Sequence, residues 1–525
     1  MSEKELIACS LLLREYFGEI VEAVSMYLAR KGSTPLRVLV DETKLNIDKV
    51  RKALCVLTQH NMVTFDRHKR GFVMYTIDVK EVLLLARYTR YIYCAKTLYG
   101  DAAELIAEEM LLHGQVGMES VCQKVENRLN EALDEGKHVS SNSVTEKFAN
   151  LAQTHFIQRS AMVKEDEDDA ACSATMPVLV SSADNQFTIS AEESDDSRKR
   201  KREEGTSTQS KKHKTGNEYE LSECNNLWKV NYDRFHQHFR DLAIISAVAN
   251  KIDKRAGEVM RTMLRISEVK SDPIAEVSAP MSSNEIFQAL PKELGIKSSD
   301  VDQYLNLLTE DSAEFVGKLG ESGGGTYTVN IKKAITEQAK ATIESVVQER
   351  FSSKAARIFR LLLRKKYLEQ KQIEECAMIP AKEAKDLTYT LFAEAFLSLQ
   401  EIPRTPDHAP SRTIYLFTVN ITQVCRMLLD RCYKALSNIV SKRHHVVKEF
   451  KRLLEKQQRV EAIVASLKTS GSDEAQIREV EEMITPPERT QLQKVEHMTT
   501  KLEQSKIQLD ETIFILRLNL SYCVR

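Results

Sequence analysis

The sequence has no long apolar run and almost no net charge. Its 525 residues carry 75 Lys and Arg against 76 Asp and Glu, a formal charge of −1. No apolar stretch reaches the roughly 18 residues of a membrane helix, and "MSEKELIACS" lacks the features of a signal peptide. Proteins that bind duplex DNA alone are usually strongly basic. We therefore expect a protein of the nucleus or cytosol whose nucleic-acid contacts are local or shared with partners.

The sequence also lacks motifs for metal binding and catalysis. Its ten cysteines include no Cys-x-x-Cys pair, which argues against a zinc ribbon or a redox site and predicts reduced, mostly buried thiols. The glycines of "SGGGTY" (322–327) precede no Gly-Lys-Ser/Thr, so they predict a hairpin tip and not a phosphate loop. We predict no catalytic residue, no metal and no cofactor.

Residues 161–222 differ in composition from the rest of the chain. An acidic run is followed by Ser-rich sequence with few large apolar residues, which predicts a disordered insert. The insert contains two basic clusters typical of a bipartite nuclear-import signal, with a solvated charge run as the alternative. The cluster residues are Arg198, Lys199, Arg200, Lys201, Arg202, Lys211, Lys212 and Lys214.

A short pattern recurs along the chain. Helical apolar spacing, a polar break and a β-favouring pair follow one another in "LCVLTQHNMV" (54–63), "FANLAQTHFI" (148–157) and "LTYTLFAEAFL" (387–397). A looser copy is "LNLLTEDSAEFV" (305–316). Self-similarity of this kind indicates repeated structural units, each a helix followed by a β-hairpin.

The first unit illustrates the predicted fold. We predict a helix over 4–30, a short helix in "TPLRVLVDETK", and a third helix over 47–60 that begins after Asn46 as its N-cap. Strands are predicted near 62–66 and 72–77. Three helices followed by a β-hairpin form a winged-helix unit.

The whole chain is predicted to be mainly α with small β-hairpins (wings). Its tandem winged-helix domains cover 1–90, 91–160 (with the wing resuming near 226–231), 232–340 and 345–421, and a C-terminal α-helical hairpin or coiled coil covers 422–525. The last region has two heptad-like ladders, and an intramolecular antiparallel hairpin and an intermolecular coiled coil both remain open. The ladders are Val446, Phe450, Leu453, Gln457, Val460, Val464, Leu467 and Val495, Leu502, Leu509, Leu516.

The third helix of the first unit is a poor base-reading element. Its predicted core stripe is Ile47, Val50, Leu54 and Leu57. The opposite face carries Asp48, Lys49, Lys52, Cys55, Val56 and Gln59. It is only weakly basic and lacks the set of Arg, Asn and Gln side chains expected for readout in the major groove. That face offers Lys49 and Lys52 as nucleic-acid candidates and Cys55 and Val56 as partner-interface candidates, which join Val446, Phe450 and Leu453 of the C-terminal region.

The loop between the first two predicted strands is strongly basic. Arg67, His68, Lys69 and Arg70 occupy a hairpin tip, where they could contact phosphates without reading sequence. The alternative is a solubilising turn at the edge of a small sheet. Arg404 and Arg412 of the fourth wing are weaker candidates of the same kind.

Several longer strings carry a family resemblance. They include "KALCVLTQHNMV", "YIYCAKTLYG", "DRFHQHFRD", "CAMIPAKEAKD", "EIPRTPDHAPSRT" and "RLLEKQQRVEAI". On these strings the chain resembles the largest, winged-helix subunit of the RNA polymerase III initiation heterotrimer, which is related to the alpha subunit of general factor E. The resemblance covers nearly the whole chain outside the insert.

The resemblance implies a role as well as a fold. It implies a non-catalytic subunit that joins two other polymerase III-specific subunits, docks on the polymerase clamp and supports initiation and promoter opening for tRNA, 5S rRNA and other small RNA genes. It also implies contact with single-stranded or melted promoter DNA, a nuclear location with some cytosolic enzyme linked to sensing of foreign DNA, and no membrane. The alternatives are a stand-alone winged-helix DNA-binding regulator and a pure protein-interaction scaffold.

Overall fold

The computed structural model describes most of the chain in two compact units. The described residues are 2–132, 140–160, 162–164, 178–180, 187, 227–270, 272, 274–292, 295–321, 324–403, 413–469 and 474–523. Among the described residues, the first unit comprises residues 6–236 and the second comprises residues 2–5 and 237–523. Helices dominate both units, and the strands form small antiparallel sheets.

The first unit opens with a winged-helix arrangement. A three-stranded sheet of order β1-β3-β2 closes over the helices, and Val63 pairs with Ile77 at the base of the β2–β3 hairpin. The Asn46 side chain accepts a hydrogen bond from the Asp48 N–H and so caps α4. The elements are α1 (Glu3–Phe17), α2 (Glu19–Lys31), β1 (Thr34–Pro35), α3 (Leu36–Thr43), α4 (Ile47–Gln59), β2 (Val63–Arg67) and β3 (Val73–Ile77).

The single helix predicted over 4–30 is wrong, because the structure divides it at Gly18. The φ angle of Gly18 is +86°, a value that side-chain-bearing residues rarely adopt. Its N–H donates to the Arg14 carbonyl and ends α1, and its carbonyl accepts from Glu22 as α2 begins. Apolar periodicity continues across the break, so the sequence pattern did not reveal it.

A second winged-helix arrangement follows within the first unit. Its sheet has the order β4-β8-β5, and Ile157 of β5 pairs with Val230 of β8 across a long sequence separation. The strand that pairs with β5 is therefore Leu227–Val230. The elements are α5 (Val79–Leu83), a 3-10 turn (Leu84–Arg87), α6 (Tyr88–Tyr99), α7 (Asp101–His113), β4 (Val116–Gly117), α8 (Met118–Ala132), α9 (Ser141–Gln153), β5 (Ile157–Arg159), β6 (Met162–Lys164), β7 (Val178–Val180) and β8 (Leu227–Val230).

The two winged helices of the first unit meet where α7 ends. Gly114, with a φ of +78°, lies against the carbonyl group of Gln59 at the end of α4. The Gln115 side-chain amide donates to the Asn61 side-chain oxygen at 2.8 Å. A glycine at this point lets the two backbones approach more closely than any side chain would permit.

A third set of winged-helix elements begins at Tyr232 and lies mostly in the second unit. Its sheet has the order β10-β11-β9, and a continuous apolar core runs from Ile244 to Tyr522 near the C-terminus. A capping box formed by Ser282 and Glu285 starts α12. The elements are α10 (Tyr232–Lys251), α11 (Lys254–Lys270), β9 (Met281–Ser282), α12 (Ser283–Ala289), α13 (Ser298–Glu310), β10 (Val316–Gly320) and β11 (Thr326–Val329).

A fourth set of winged-helix elements follows directly. The β12–β13 hairpin is joined by a single bridge from Leu368 to Phe417, which takes the place of a first strand. Phe351 and Phe396 pack edge to face with ring centroids 5.5 Å apart. The elements are α14 (Ile331–Arg350), α15 (Ser353–Lys365), α16 (Gln370–Ala377), α17 (Ala381–Ala393), β12 (Ser398–Pro403) and β13 (Thr413–Thr418).

The C-terminal region folds back on itself as a helical hairpin. Arg443 of the outgoing helix pairs with Glu503 of the returning helix, and Lys456 pairs with Glu488 at 2.8 Å. The predicted ladder over 446–467 is interrupted at Phe450, which lies between two helices. The elements are α18 (Ile421–Glu449), α19 (Lys451–Thr469), α20 (Glu474–Glu482) and α21 (Pro486–Cys523).

The described cysteines are all free thiols. Cys9, Cys94, Cys122 and Cys425 are buried, and Cys432 is half-buried, whereas Cys55, Cys376 and Cys523 are exposed. The prediction of reduced thiols is confirmed for these residues. Five of the eight described cysteines are buried or half-buried, and the three exposed ones lie near helix ends or on the outer face of α4.

Candidate nucleic-acid interface

The hairpin of the first winged helix, residues 63–77, is the first wing. Its ladder runs in unbroken antiparallel register from the Val63–Ile77 pair to the Arg67–Val73 pair. β1 pairs with the other side of β3 through Thr34 and Tyr75. β3 is therefore the central strand of the sheet, and β2 is an edge strand that ends at the tip.

The tip of the first wing is a defined turn. The His68 N–H donates to the Phe72 carbonyl at 2.9 Å, and the Gly71 N–H donates to the His68 carbonyl at 2.8 Å. Gly71 has a φ of +87°, a conformation that glycine supplies without steric cost. The Arg70 N–H also donates to His68 Nδ1 at 3.3 Å. These bonds hold the four basic residues in one arrangement.

The four predicted residues Arg67, His68, Lys69 and Arg70 are all exposed at this tip. In the part of the chain that the structure describes, the side chains of Lys69 and Arg70 form no ion pair. Asp66 is also exposed and is the one acidic residue next to them in sequence. The tip is therefore a compact cationic surface, which attracts anions by charge without selecting a sequence.

Two exposed aromatic residues accompany the cations. Phe65 is 36% exposed and Phe72 is 39% exposed. The His68 ring stacks on the Phe72 ring with centroids 4.5 Å apart and planes 12° from parallel. Sequence reasoning missed both phenylalanines, although their positions two residues before Arg67 and two after Arg70 could have drawn attention to them.

The third helix of this domain, α4, presents a mixed outer face. Lys49, Lys52 and Cys55 are exposed and Val56 is half-buried. Arg51 is also exposed, and the predicted face did not include it. The core stripe holds for Val50, Leu54 and Leu57, but Ile47 is 40% exposed, because it is the first residue of the helix and projects beyond the packed turns.

The other predicted partner-interface residues, Val446, Phe450 and Leu453, belong to the C-terminal helical hairpin. Val446 is buried within the helical hairpin at 2% exposure, so it offers no surface to a partner. Phe450 and Leu453 are half-buried. Arg404 and Arg412, together with the import-signal residues 198–202, 211, 212 and 214, lie outside the described residues.

His60, at the end of α4, differs electrostatically from the tip. Burial, assisted by the nearby His113, lowers the pKa of His60 from 6.5 to about 4. Its ring packs against Phe17 with centroids 4.8 Å apart. At neutral pH His60 is an uncharged core residue, and the positive charge of the first wing comes from its tip.

The described residues form neither a metal cluster nor a membrane-spanning helix. Within those ranges, no group of three or more His, Cys, Asp or Glu side chains is placed to hold a metal ion. Among the helices that can be described, none combines the length and the apolar character needed to cross a bilayer.

Comparison with protein families gives four matches along the chain. A helix-turn-helix domain of RNA polymerase III subunit RPC82 matches residues 8–68, and the RNA polymerase III subunit RPC82 family matches residues 146–338. The C-terminal winged-helix domain of POLR3C matches residues 343–419. The helical hairpin domain of DNA-directed RNA polymerase III subunit RPC3 matches residues 452–515. The predicted fold class, tandem winged helices with a C-terminal helical hairpin, is confirmed.

Curated relatives match over almost the full length. DNA-directed RNA polymerase III subunit RPC3 of Bos taurus is 51% identical over 523 residues, and that of Homo sapiens is also 51% identical over 523 residues. The Danio rerio protein of the same name is 49% identical over 532 residues. In each case the match covers 98% of this chain and 98% of the relative. The chain belongs to the RPC3 family of RNA polymerase III subunits.

Proposed function

We propose that this chain is a non-catalytic subunit of RNA polymerase III that supports transcription initiation. In this role it joins two other polymerase III-specific subunits, docks on the polymerase clamp and helps to hold promoter DNA open at tRNA, 5S rRNA and other small RNA genes. Family membership supports the assignment to the polymerase. The proposed location is the nucleus, with the basic clusters at 198–202 and 211–214 as the import signal.

The observation that carries the proposed DNA contact is the cationic tip of the first wing. Lys69 and Arg70 are exposed there on a turn fixed by backbone hydrogen bonds. Phosphate contacts of this kind hold a strand in place and carry no sequence information. Such contacts suit a subunit that acts at many promoters after the duplex has melted.

A stand-alone sequence-specific regulator fits the same chain less well. The exposed face of α4 combines Asp48 and Cys55 with its lysines, and Arg51 and Gln59 are the only exposed side chains of this helix that belong to the Arg, Asn and Gln types. Direct readout of base edges normally uses a larger set of these side chains. The whole chain has a formal charge of −1, whereas stand-alone duplex binding depends on neutralising many phosphates.

A pure interaction scaffold is the second candidate. The fourth winged helix favours it, because Met378 is 87% exposed and Tyr389 is 50% exposed. Large apolar side chains left open to water often mark protein contacts. In a scaffold the first wing would be a docking surface or a soluble turn, and DNA binding would not depend on its cations.

Binding of the full-length chain to single-stranded DNA at several salt concentrations tests the proposed contact. On single strands the log–log salt slope is roughly −0.7 for each phosphate neutralised. Changing Arg67, Lys69 and Arg70 to Ala should weaken binding and make the slope shallower by about 2, since three contacts are lost. A matched control changes the exposed Arg30, Lys31 and Lys80 of the same domain to Ala, which alters net charge equally. Equal effects of the two variants would refute a specific role for the tip.

The role in promoter opening needs a transcription assay. Polymerase III reconstituted with the tip variant should initiate poorly on a closed duplex promoter and should recover on the same promoter with a pre-melted bubble. The two templates differ only in whether the strands must be separated. A defect of the same size on both templates would assign the tip to another step.

A further inference from the structure

We infer that the stacked pair His68 and Phe72 is a binding platform for an unpaired nucleobase. The inference rests on the proposed single-strand contact and adds to it a second kind of interaction, made with the base and not with the phosphate. Every base has an aromatic face, so stacking tolerates any sequence. The ligand class is single-stranded DNA of any composition.

The geometry of the pair suits stacking. The two rings lie almost parallel, 12° apart, with centroids separated by 4.5 Å. His68 and Phe72 face each other across the turn, joined by the hydrogen bond from the His68 N–H to the Phe72 carbonyl. Both side chains are exposed. A planar base placed on the pair would continue a stack that already exists in the free protein.

The pair is also held in place before any ligand arrives. The Arg70 N–H donates to the Nδ1 atom of the His68 imidazole, which restricts rotation of that ring. Gly71 closes the turn between the two rings. Because the side chains are ordered in advance, binding loses less conformational entropy than it would on a mobile loop.

The two faces of the first wing differ in charge. Residues directly opposite in an antiparallel ladder share a face, so Asp66 and Met74 form one pair, and Arg67 and Val73 form the next pair on the other face. The side of the hairpin that carries His68 and Phe72 is the side of Asp66. The Asp66 carboxylate repels phosphate but not a neutral base. The base is therefore expected on this face, with the phosphates nearer to Arg67.

Phe65 provides a matched control on the same hairpin. It is as exposed as Phe72, but it pairs with Tyr75 and lies on the face that also carries the buried Val63. It is not stacked on His68, and it lies further from the tip. If any exposed phenylalanine of the first wing assisted binding through apolar contact, Phe65 and Phe72 would contribute equally.

The test compares a 15-nucleotide oligo-dT with an abasic oligonucleotide of the same length, using the full-length chain. Phe72→Leu should weaken oligo-dT binding by between about fivefold and 150-fold, the range that corresponds to loss of one stacked base. It should leave abasic binding and the salt slope unchanged. Phe65→Leu should change neither ligand. Phe72→Trp should retain oligo-dT affinity, which also guards against a variant that merely misfolds.

Each contrary outcome has a distinct meaning. Equal weakening of oligo-dT and abasic binding by Phe72→Leu would overturn stacking and assign Phe72 to the shape of the tip. An unchanged affinity for oligo-dT would exclude the platform. If Phe72→Leu has no effect while the Arg67, Lys69 and Arg70 variant still weakens binding, only the stacking inference fails. If the cation variant also binds like the wild type, the proposed DNA contact itself fails, and a protein-docking role for the first wing takes its place.

Discussion

Replacing Gly114 with Ala should separate the two winged helices of the first unit. A Cβ atom at this position would lie 2.4 Å from the Gln59 carbonyl oxygen and 2.9 Å from its carbonyl carbon. Real Cβ atoms essentially never approach closer than 3.0 Å, so the backbones must move apart by at least 0.6 Å. Both atoms that the new methyl group meets belong to the main chain, which cannot rotate away as a side chain would.

Two costs add at this position. The φ angle of +78° is one that L residues rarely adopt, and a side chain forced into a sparsely populated backbone region costs roughly 1–3 kcal/mol. Overpacking a closely packed contact costs about 1–3 kcal/mol more. The expected loss for Gly114→Ala is therefore roughly 2–6 kcal/mol in the local free energy of unfolding.

Two other glycines of the same domain separate these costs. Gly100 has a φ of +90° with open space around it, and Gly117 has neither a positive φ nor a neighbour within 4 Å. Gly100→Ala should cost roughly 1–3 kcal/mol through conformation alone. Gly117→Ala should be neutral or stabilise by about 0.4–1 kcal/mol, because it reduces the entropy of the unfolded chain.

Native-state hydrogen exchange is the suitable assay, because a chain of several domains does not unfold in a single step. Amides in α4 and α7 should lose protection in the order Gly117→Ala, Gly100→Ala, Gly114→Ala, from least to most. Equal losses for Gly100→Ala and Gly114→Ala would refute the reasoning, since the close backbone approach would then contribute nothing.

Two further predictions concern charge. Burial holds the pKa of His60 at about 4 in the folded chain, against 6.5 when the side chain is exposed. As the pH falls from about 6.5 to 4, only the unfolded state therefore takes up this proton. The stability of α4 should fall by up to roughly 3 kcal/mol over that range. The free energy of opening of α4, obtained from hydrogen exchange, should depend less steeply on pH in His60→Gln than in the wild type. An unchanged slope of this free energy against pH would contradict the assignment to His60. Glu394 accepts from Arg350 at 2.9 Å and from Arg431 at 2.8 Å. All three side chains are about a third or more exposed, so Glu394→Gln should cost only about 1 kcal/mol at low salt and less in high salt; a salt-independent loss of protection in α17 and α18 would rule out an electrostatic cause.

The candidate site shows how far sequence reasoning reached. The basic residues of the first wing were identifiable because charge on a predicted turn is a local property of the sequence. The exposure of Phe72 was not identifiable from the sequence, because a phenylalanine at the end of a predicted strand usually faces a core. Only the register of the folded hairpin places its side chain in solvent. The same limit applies to Val446, whose heptad position suggested an interface but whose partner is a helix of the same chain.

Local chemistry determined much of this protein from the sequence alone. Asn46 marked the start of α4, and the repeated helix-and-hairpin pattern indicated winged-helix units, because capping and periodicity depend on neighbouring residues. The near-zero net charge, which depends on composition alone, argued against a stand-alone duplex binder. Tertiary structure decided the rest. It paired Ile157 with Val230, closed the C-terminal ladders into one hairpin and selected which aromatics face solvent. These outcomes depend on contacts between residues distant in sequence, whose energies no local pattern contains.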